Sequence, residues 1–175
     1  MRLFIAITFA EEIKQQLASS GQAIAALSLH ARLTRQENFH LTLAFLGDAL
    51  EEAQACLAID TALNKAPVAS FKLYSGKAGV FRRSGGDIHW LGLKPSPELN
   101  TLYAGLSSAL AEIGFSVENR PYSPHITLAR EVKGLNSVLP PPPRFIIPVN
   151  KLTLMNSEQK HGLLTYTPIY TKKIT

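Results

Sequence analysis

Two short segments of the chain share a pattern with chemical capacity. Phe39-His40-Leu41-Thr42-Leu43 and Pro124-His125-Ile126-Thr127-Leu128 each read His-apolar-Thr-Leu, with the two His 85 residues apart. Both lie in apolar runs of strand length. In a strand, successive side chains point to opposite faces. His40 and Thr42 therefore share one face, with Leu41 and Leu43 anchoring the other; His125 and Thr127 stand likewise against Ile126 and Leu128. Each pattern offers an imidazole and a hydroxyl, with no carboxylate cluster. A metal site would use the two His, but the Asp, Glu or third His needed to complete it is missing. Ser-His-Asp chemistry needs a nucleophilic Ser, and none stands in a recognisable nucleophile context. The best fit is acid–base work on a phosphodiester. One neutral His takes a proton from attacking water, and one protonated His gives a proton to the leaving oxygen across phosphorus. The Thr hydroxyls and a nearby Arg hold the non-bridging oxygens. Imidazole titrates near pH ~6.5, so the pair can hold one acid and one base form near neutrality.

The elements that must position these strands are legible in outline. Residues 2–8 read as a strand, and Thr8-Phe9-Ala10-Glu11 has the form of a capping box. Ile13, Leu17, Ile24 and Leu27 follow at helical spacing, with Gly21 weakening the middle of that helix. Residues 31–35 read as a weak strand or turn, and His40–Leu46 as a strong strand ended by Gly47. Asp48-Ala49-Leu50-Glu51 is a second capping box, predicting a helix to about Asn64 that Pro67 stops. The runs 70–82 and 88–94 form a hairpin through Ser84-Gly85-Gly86-Asp87. Ser96-Pro97 starts a helix, and Leu99, Leu102, Tyr103, Leu106, Leu110 and Ile113 form its apolar stripe, stopped by Gly114. His125–Arg130 is a strand, Pro140–Pro143 a stiff connector, and 145–155 and 163–171 are closing strands. Strands and three helices alternate without regular βαβ units. The expected fold is therefore α+β, with antiparallel or mixed sheets.

Composition narrows the function. The chain has 175 residues, enough for one domain or for two small lobes sharing a cleft. Lys and Arg number 18 against 13 Asp and Glu, for a net charge of +5, which favours anionic partners. No run of five basic residues marks a nucleic-acid tail. Apolar residues make up 46%, too many for wholesale disorder. The single Cys, Cys56, excludes an intramolecular disulfide and a Cys-clustered zinc site, and its place in the second helix points to packing. No apolar run approaches the roughly 20 residues of a membrane span. Leu3–Ala10 has the size of a signal-peptide core but lacks a cleavage signal, so it reads as a strand and the chain as cytoplasmic. P-loop, G-x-G-x-x-G, H-E-x-x-H and G-x-S-x-G motifs are absent.

With those flanks in view, a family resemblance emerges. Asn38-Phe39-His40-Leu41-Thr42-Leu43-Ala44-Phe45-Leu46-Gly47 and Arg120-Pro121-Tyr122-Ser123-Pro124-His125-Ile126-Thr127-Leu128-Ala129-Arg130 resemble the paired signatures of the two-histidine (2H) phosphoesterases. Within that superfamily the chain is most similar to the bacterial RNA 2′,3′-cyclic phosphodiesterases, also called 2′-5′ RNA ligases. The similarity extends to the opening strand and helix, to Trp90-Leu91-Gly92-Leu93 and to Thr165-Tyr166-Thr167-Pro168-Ile169. It implies a single bilobal domain, 1–175, with two sheets and outer helices around a central cleft, pseudo-two-fold symmetry, and one His-x-Thr motif per lobe. It further implies opening of a 2′,3′-cyclic phosphate, on an RNA end or a nucleotide, to a 2′-phosphomonoester without metal or cofactor. By motif position, His40 would be the proton donor to the leaving 3′ oxygen and His125 the proton acceptor that activates water. Thr42 and Thr127 would bind the phosphate. The symmetry of the motifs leaves the acid and base roles interchangeable in sequence. Alternatives are a related phosphodiesterase acting on 2′-5′ oligonucleotides or a nucleotide-sugar cyclic phosphate, and a non-catalytic RNA-end binding module. The expected state is a monomer away from membranes.

Phe45 and Arg130 occupy equivalent positions, each five residues after its His. Strict alternation turns both toward the core, which suits Phe45 and not an unpaired Arg130. If alternation fails near the strand ends, both reach the cleft rim, where an aromatic ring and a guanidinium can sandwich a nucleobase. Trp90 reads as core more readily than as a stacking residue. His89 reads as a surface hairpin residue, and His30 and His161 as solvated. The Ser84–His89 hairpin carries little charge for holding a long RNA, although Arg82 and Arg83 at its edge could track a backbone.

Overall fold

The computed structural model describes residues 2–48, 51–65, 68–115, 121–135 and 139–174. Nine strands and three α-helices follow in the order β1 (Arg2–Thr8), α1 (Glu11–Ala26), β2 (His30–Leu33), β3 (His40–Gly47), α2 (Glu52–Lys65), β4 (Phe71–Phe81), β5 (Asp87–Leu93), α3 (Pro97–Glu112), β6 (His125–Lys133), β7 (Ile146–Val149), β8 (Lys151–Lys160) and β9 (Leu163–Lys173). A 3-10 turn over Gln36–Asn38 leads into β3. The strands form two sheets, ordered β3-β1-β8-β9 and β2-β6-β5-β4-β7. Every described pairing is antiparallel, so the α+β expectation holds with antiparallel rather than mixed sheets.

The 85-residue offset of the two His extends to whole elements. β1 and β5 span 2–8 and 87–93, and each is followed by a 16-residue helix and then by a motif strand starting at His40 or His125. The motif strand pairs antiparallel with the first strand of its own unit in both cases. The helices settle differently. α1 packs on β2 and β6 behind the second sheet, whereas α3 packs on α2, which covers β8 and β9 of the first. Gly21 is the contact point of α1 with the second sheet: a Cβ there would sit 3.4 Å from the Leu128 carbonyl.

Most of the apolar core is one cluster joining both sheets and all three helices. Leu41 and Ile126, directly behind the two motifs, are completely buried. Each such side chain contributes about 1.5–3 kcal/mol of burial. A one-residue slip of either strand would expose these residues and bury the His, so the register of both motifs is fixed by packing. A second, small cluster of Phe4, Ala6 and Met155, with Tyr166 against it, lies on the other face of the first sheet.

Several local expectations are corrected. Thr8 is not an N-cap: it remains in the ladder opposite His40, and the helix starts after Ala10, whose side chain makes no cap bond. The Glu11 carboxylate instead accepts from the Gln36 amide. α2 begins at Glu52, and the Gln54 side chain accepts from the Glu51 N–H at 3.2 Å; Ala49, Leu50 and Pro67 lie outside the described residues. The run 145–155 is not one strand. It breaks at Asn150, sending β7 to the edge of the second sheet beside β4 and β8 to the centre of the first. Pro148 is tolerated because β7 is an edge strand. Ser96 does cap α3, accepting from the Leu99 N–H at 3.2 Å with Pro97 at the first turn. Pro140–Pro142, with Leu139, wall a hollow of about 230 Å³ beneath α1, on the side of the second sheet that carries His89.

Candidate active site

Both imidazoles are held in the same way. His40 Nδ1 lies 2.7 Å from the Asn38 carbonyl and His125 Nδ1 lies 2.7 Å from the Ser123 carbonyl, each two residues upstream. A carbonyl only accepts, so Nδ1 carries the proton in both rings, and Nε2 is the atom free to take or give one. Because the fixing groups are backbone carbonyls, no side-chain type announced them in the sequence. Thr42 Oγ1 lies 2.9 Å from His40 Nε2; Thr127 makes no equivalent bond among the described residues, although it shares the half-buried face of His125.

Aromatic rings wall each imidazole. Phe4 and Tyr166 lie 4.8 and 5.1 Å from the His40 ring, with Tyr166 edge-on. Phe81 and Trp90 lie 5.0 and 6.0 Å from that of His125, with Phe81 edge-on. These four residues were not predicted as site walls; the resemblance brought in only the strands that carry Trp90 and Tyr166. Trp90 lies over Gly79, where a Cβ would meet the indole at 2.2 Å, so its ring can lie flat only against that glycine.

The lobes brace one another through the motifs. The Tyr122 hydroxyl donates to the Thr42 carbonyl at 3.0 Å, and the Thr34 hydroxyl donates to the Thr127 carbonyl at 2.9 Å. Each motif strand is thus tied to the segment leading into the other. Tyr122 stacks flat on Tyr103 of α3 at 4.0 Å, and burial pushes its phenol pKa up. Arg120, part of the second signature, lies outside the described residues.

Both motif strands carry the same irregularity. Ala6 pairs with Thr42 but Ile5 with Ala44; Trp90 pairs with Thr127 but His89 with Ala129. A bulge after each Thr inserts one residue and reverses the faces beyond it. Leu43 and Ala44 are both buried, as are Leu128 and Ala129, so Phe45 and Arg130 emerge on the His side. Phe45 is 72% exposed, which overturns the reading of it as a core residue. His89 is corrected in the opposite sense: alternation along β5 sets it on the same face as the buried Leu91, where it is 4% exposed, and it lines the hollow beneath α1. His161 is exposed in the β8–β9 turn, and Cys56 packs half-buried on the core.

Burial lowers the His40 pKa to about 4; its bond to the Asn38 carbonyl opposes this, while the positive charges of Arg130 and His125 add to it. Arg130 and His125 belong to the second sheet, so charges of both sheets act on one imidazole. The sign of the linkage follows. The folded pKa lies below the unfolded value near 6.5, so between the two the unfolded chain binds a proton that the folded chain refuses. This contribution to stability is fully present above pH ~6.5 and is lost as pH falls toward about 4. Wild type should lose more unfolding free energy than His40→Gln between pH 7 and pH 4, by on the order of 3 kcal/mol at ~1.4 kcal/mol per pKa unit. Urea denaturation at several pH values measures the difference, and parallel curves would contradict a half-buried, neutral His40. Among the described residues, no three His, Cys, Asp or Glu side chains gather as a metal-ligand group, and no helix is long and apolar enough to cross a membrane.

Two antiparallel sheets facing one cleft, with an imidazole from each, define a two-histidine, two-lobed class of fold. The crystal structure of Escherichia coli LigT complexed with 3′-AMP matches 99% of this chain and 98% of its own, with a TM-score of 0.81 and 32% identity. The sequence profile of the 2′-5′ RNA ligase superfamily matches residues 9–159, and the chain belongs to that superfamily. The RNA 2′,3′-cyclic phosphodiesterase of Escherichia coli (strain K12) is 33% identical over 178 residues, covering 96% of this chain and 93% of that protein. The protein of the same name from Geobacillus stearothermophilus is 37% identical over 133 residues, covering 75% of this chain. That match spans 42% of the Geobacillus protein's length.

Proposed function

We propose that this cleft hydrolyses 2′,3′-cyclic phosphates of RNA ends or nucleotides to 2′-phosphomonoesters. The observation that carries the reading is the pair of imidazoles on opposed motif strands, each fixed through Nδ1 with Nε2 left to react. The names of the relatives, which specify RNA 2′,3′-cyclic phosphodiesterase, support the choice of substrate.

The cyclic phosphate sits between the two Nε2 atoms. His125 Nε2 takes a proton from water as its oxygen bonds to phosphorus. The bond to the 3′ oxygen breaks on the far side, and His40 Nε2–H delivers the proton that oxygen needs. The 2′ oxygen keeps the phosphate. His125 ends protonated and His40 neutral, so a proton exchange with solvent resets the pair. Thr42 and Thr127 hydroxyls donate to the non-bridging oxygens, with Thr42 turning from its bond to Nε2.

Without substrate, His40 is neutral at pH 7, and the substrate's own charge corrects this. A phosphate anion about 3.5 Å from the ring contributes ~5 kcal/mol at an effective dielectric of about 20, or roughly three pKa units. The acid thus forms when there is a leaving group to protonate. A 5′-hydroxyl placed where the water sits would make a 2′–5′ linkage by the same steps. The reading takes the chain as one bilobal, cytoplasmic, monomeric unit without a metal or cofactor.

The test is turnover of 2′,3′-cyclic AMP with the product read by ³¹P NMR, with and without EDTA. The expected result is a 2′-phosphomonoester at a rate the chelator leaves unchanged. A rate abolished by EDTA and restored by a divalent ion would replace the two-histidine mechanism with a metal one.

A further inference from the structure

Arg32 on β2 and Arg130 on β6 are direct cross-strand partners. Such partners share a face, and like charges placed opposite one another destabilise the pairing. Both side chains are exposed on the rim, and both positive charges act on Tyr166, the ring edge-on to His40. The arrangement carries a second cost beside them. Glu131 has φ +55, in the left-handed region, where a non-glycine residue is strained. That turn brings its carboxylate to 2.8 Å from the Arg32 guanidinium and 3.8 Å from His30. Gly86 makes room for it: a Cβ there would lie 2.7 Å from the Glu131 backbone, and Gly86 itself has φ +117. A left-handed Glu131 and a like-charged cross-strand pair thus hold the Arg32 guanidinium beside Arg130, with room made by Gly86, one strand spacing of about 4.8 Å farther from β5. Strain that packing maintains is typical of binding sites.

We propose that Arg32, positioned by Glu131, binds the phosphodiester immediately upstream of the cyclic end, so that the enzyme prefers RNA ends to free cyclic nucleotides. The proposal rests on the phosphodiesterase reading and specifies its substrate. The strand enters over β2 and β6, not over the weakly charged 84–89 hairpin. A single cyclic nucleotide has no upstream phosphate and cannot use Arg32.

The experiment compares kcat/KM for 2′,3′-cyclic AMP with that for a trinucleotide ending in the same cyclic phosphate. Wild type should favour the trinucleotide through KM. Arg32→Gln should reduce that preference about tenfold, the scale of one hydrogen-bonded charge contact, and Glu131→Gln should reduce it by less. Arg32→Lys should keep most of the salt dependence, whereas Arg32→Gln should flatten the slope for the trinucleotide by ~0.7, as for one single-strand phosphate contact. A wild type indifferent to length, or an Arg32→Gln variant that slows both substrates equally, overturns the proposal while leaving the hydrolytic site intact. A wild type that turns over neither substrate overturns the reading of the site and this proposal with it.

Discussion

His40→Ala and His125→Ala are each expected to lower kcat for a 2′,3′-cyclic nucleotide by about 10²–10⁴-fold, the usual loss when a general acid or base is removed. KM should move far less, because the Thr hydroxyls and the cleft rim remain. The double variant should be little slower than the worse single one, since two groups that act as a unit do not contribute additively. Folding should survive, because Leu41 and Ile126 anchor the motif strands from behind. The two sites differ in one respect. His40 is wedged between Phe4 and Tyr166, so its truncation costs some packing as well. Steady-state kinetics beside thermal melts of the same samples separate the effects. Near wild-type turnover in either folded variant would end the two-imidazole account.

Phe45→Ala and Arg130→Ala should act on binding instead. The bulges after Thr42 and Thr127 put a ring and a guanidinium at equivalent rim positions, one on each lobe. A nucleobase stacked between them gains about 1–3 kcal/mol per stacking partner. Each variant should therefore raise KM by roughly 5- to 150-fold at ~1.4 kcal/mol per tenfold, with kcat changed less. All four bases should be affected alike, because stacking reads the face of a base rather than its edge. At 72% exposure Phe45 supports little packing, so its variant should melt close to wild type. Unchanged KM in a stable Phe45→Ala protein would remove the base sandwich, and a lowered kcat in Arg130→Ala would mean that Arg130 holds the reacting phosphate.

What was legible in the sequence follows from what is local. The strands and helices showed through their apolar periods, and the His-x-Thr faces followed from strand alternation. Their common offset pointed to a repeat that the structure extends to a strand, a helix and a motif strand. Sequence periodicity could not show the bulges, because an inserted residue leaves no signal until its partner strand is known; the destinations of Phe45 and Arg130 depended on this. The break at Asn150 was hidden for a related reason, since β7 and β8 are both apolar and only their different sheets separate them. The left-handed Glu131 was equally silent, because its conformation answers to Gly86 in the β4–β5 turn. The carbonyls that fix each imidazole belong to the backbone and carry no residue code. The lowered His40 pKa comes from burial by residues distant in sequence, Phe4 and Tyr166 among those in contact.

The most direct test is the pH dependence of kcat/KM for a 2′,3′-cyclic nucleotide, followed in wild type and in both His variants. The account predicts a bell for wild type, because one imidazole must be protonated while the other is neutral. Its two limbs belong to the coupled pair rather than to named residues. Each single variant should lose one of the two limbs in its residual activity. A wild-type rate that rises monotonically through pH 9, or a bell that survives in both variants, would contradict catalysis by the two histidines.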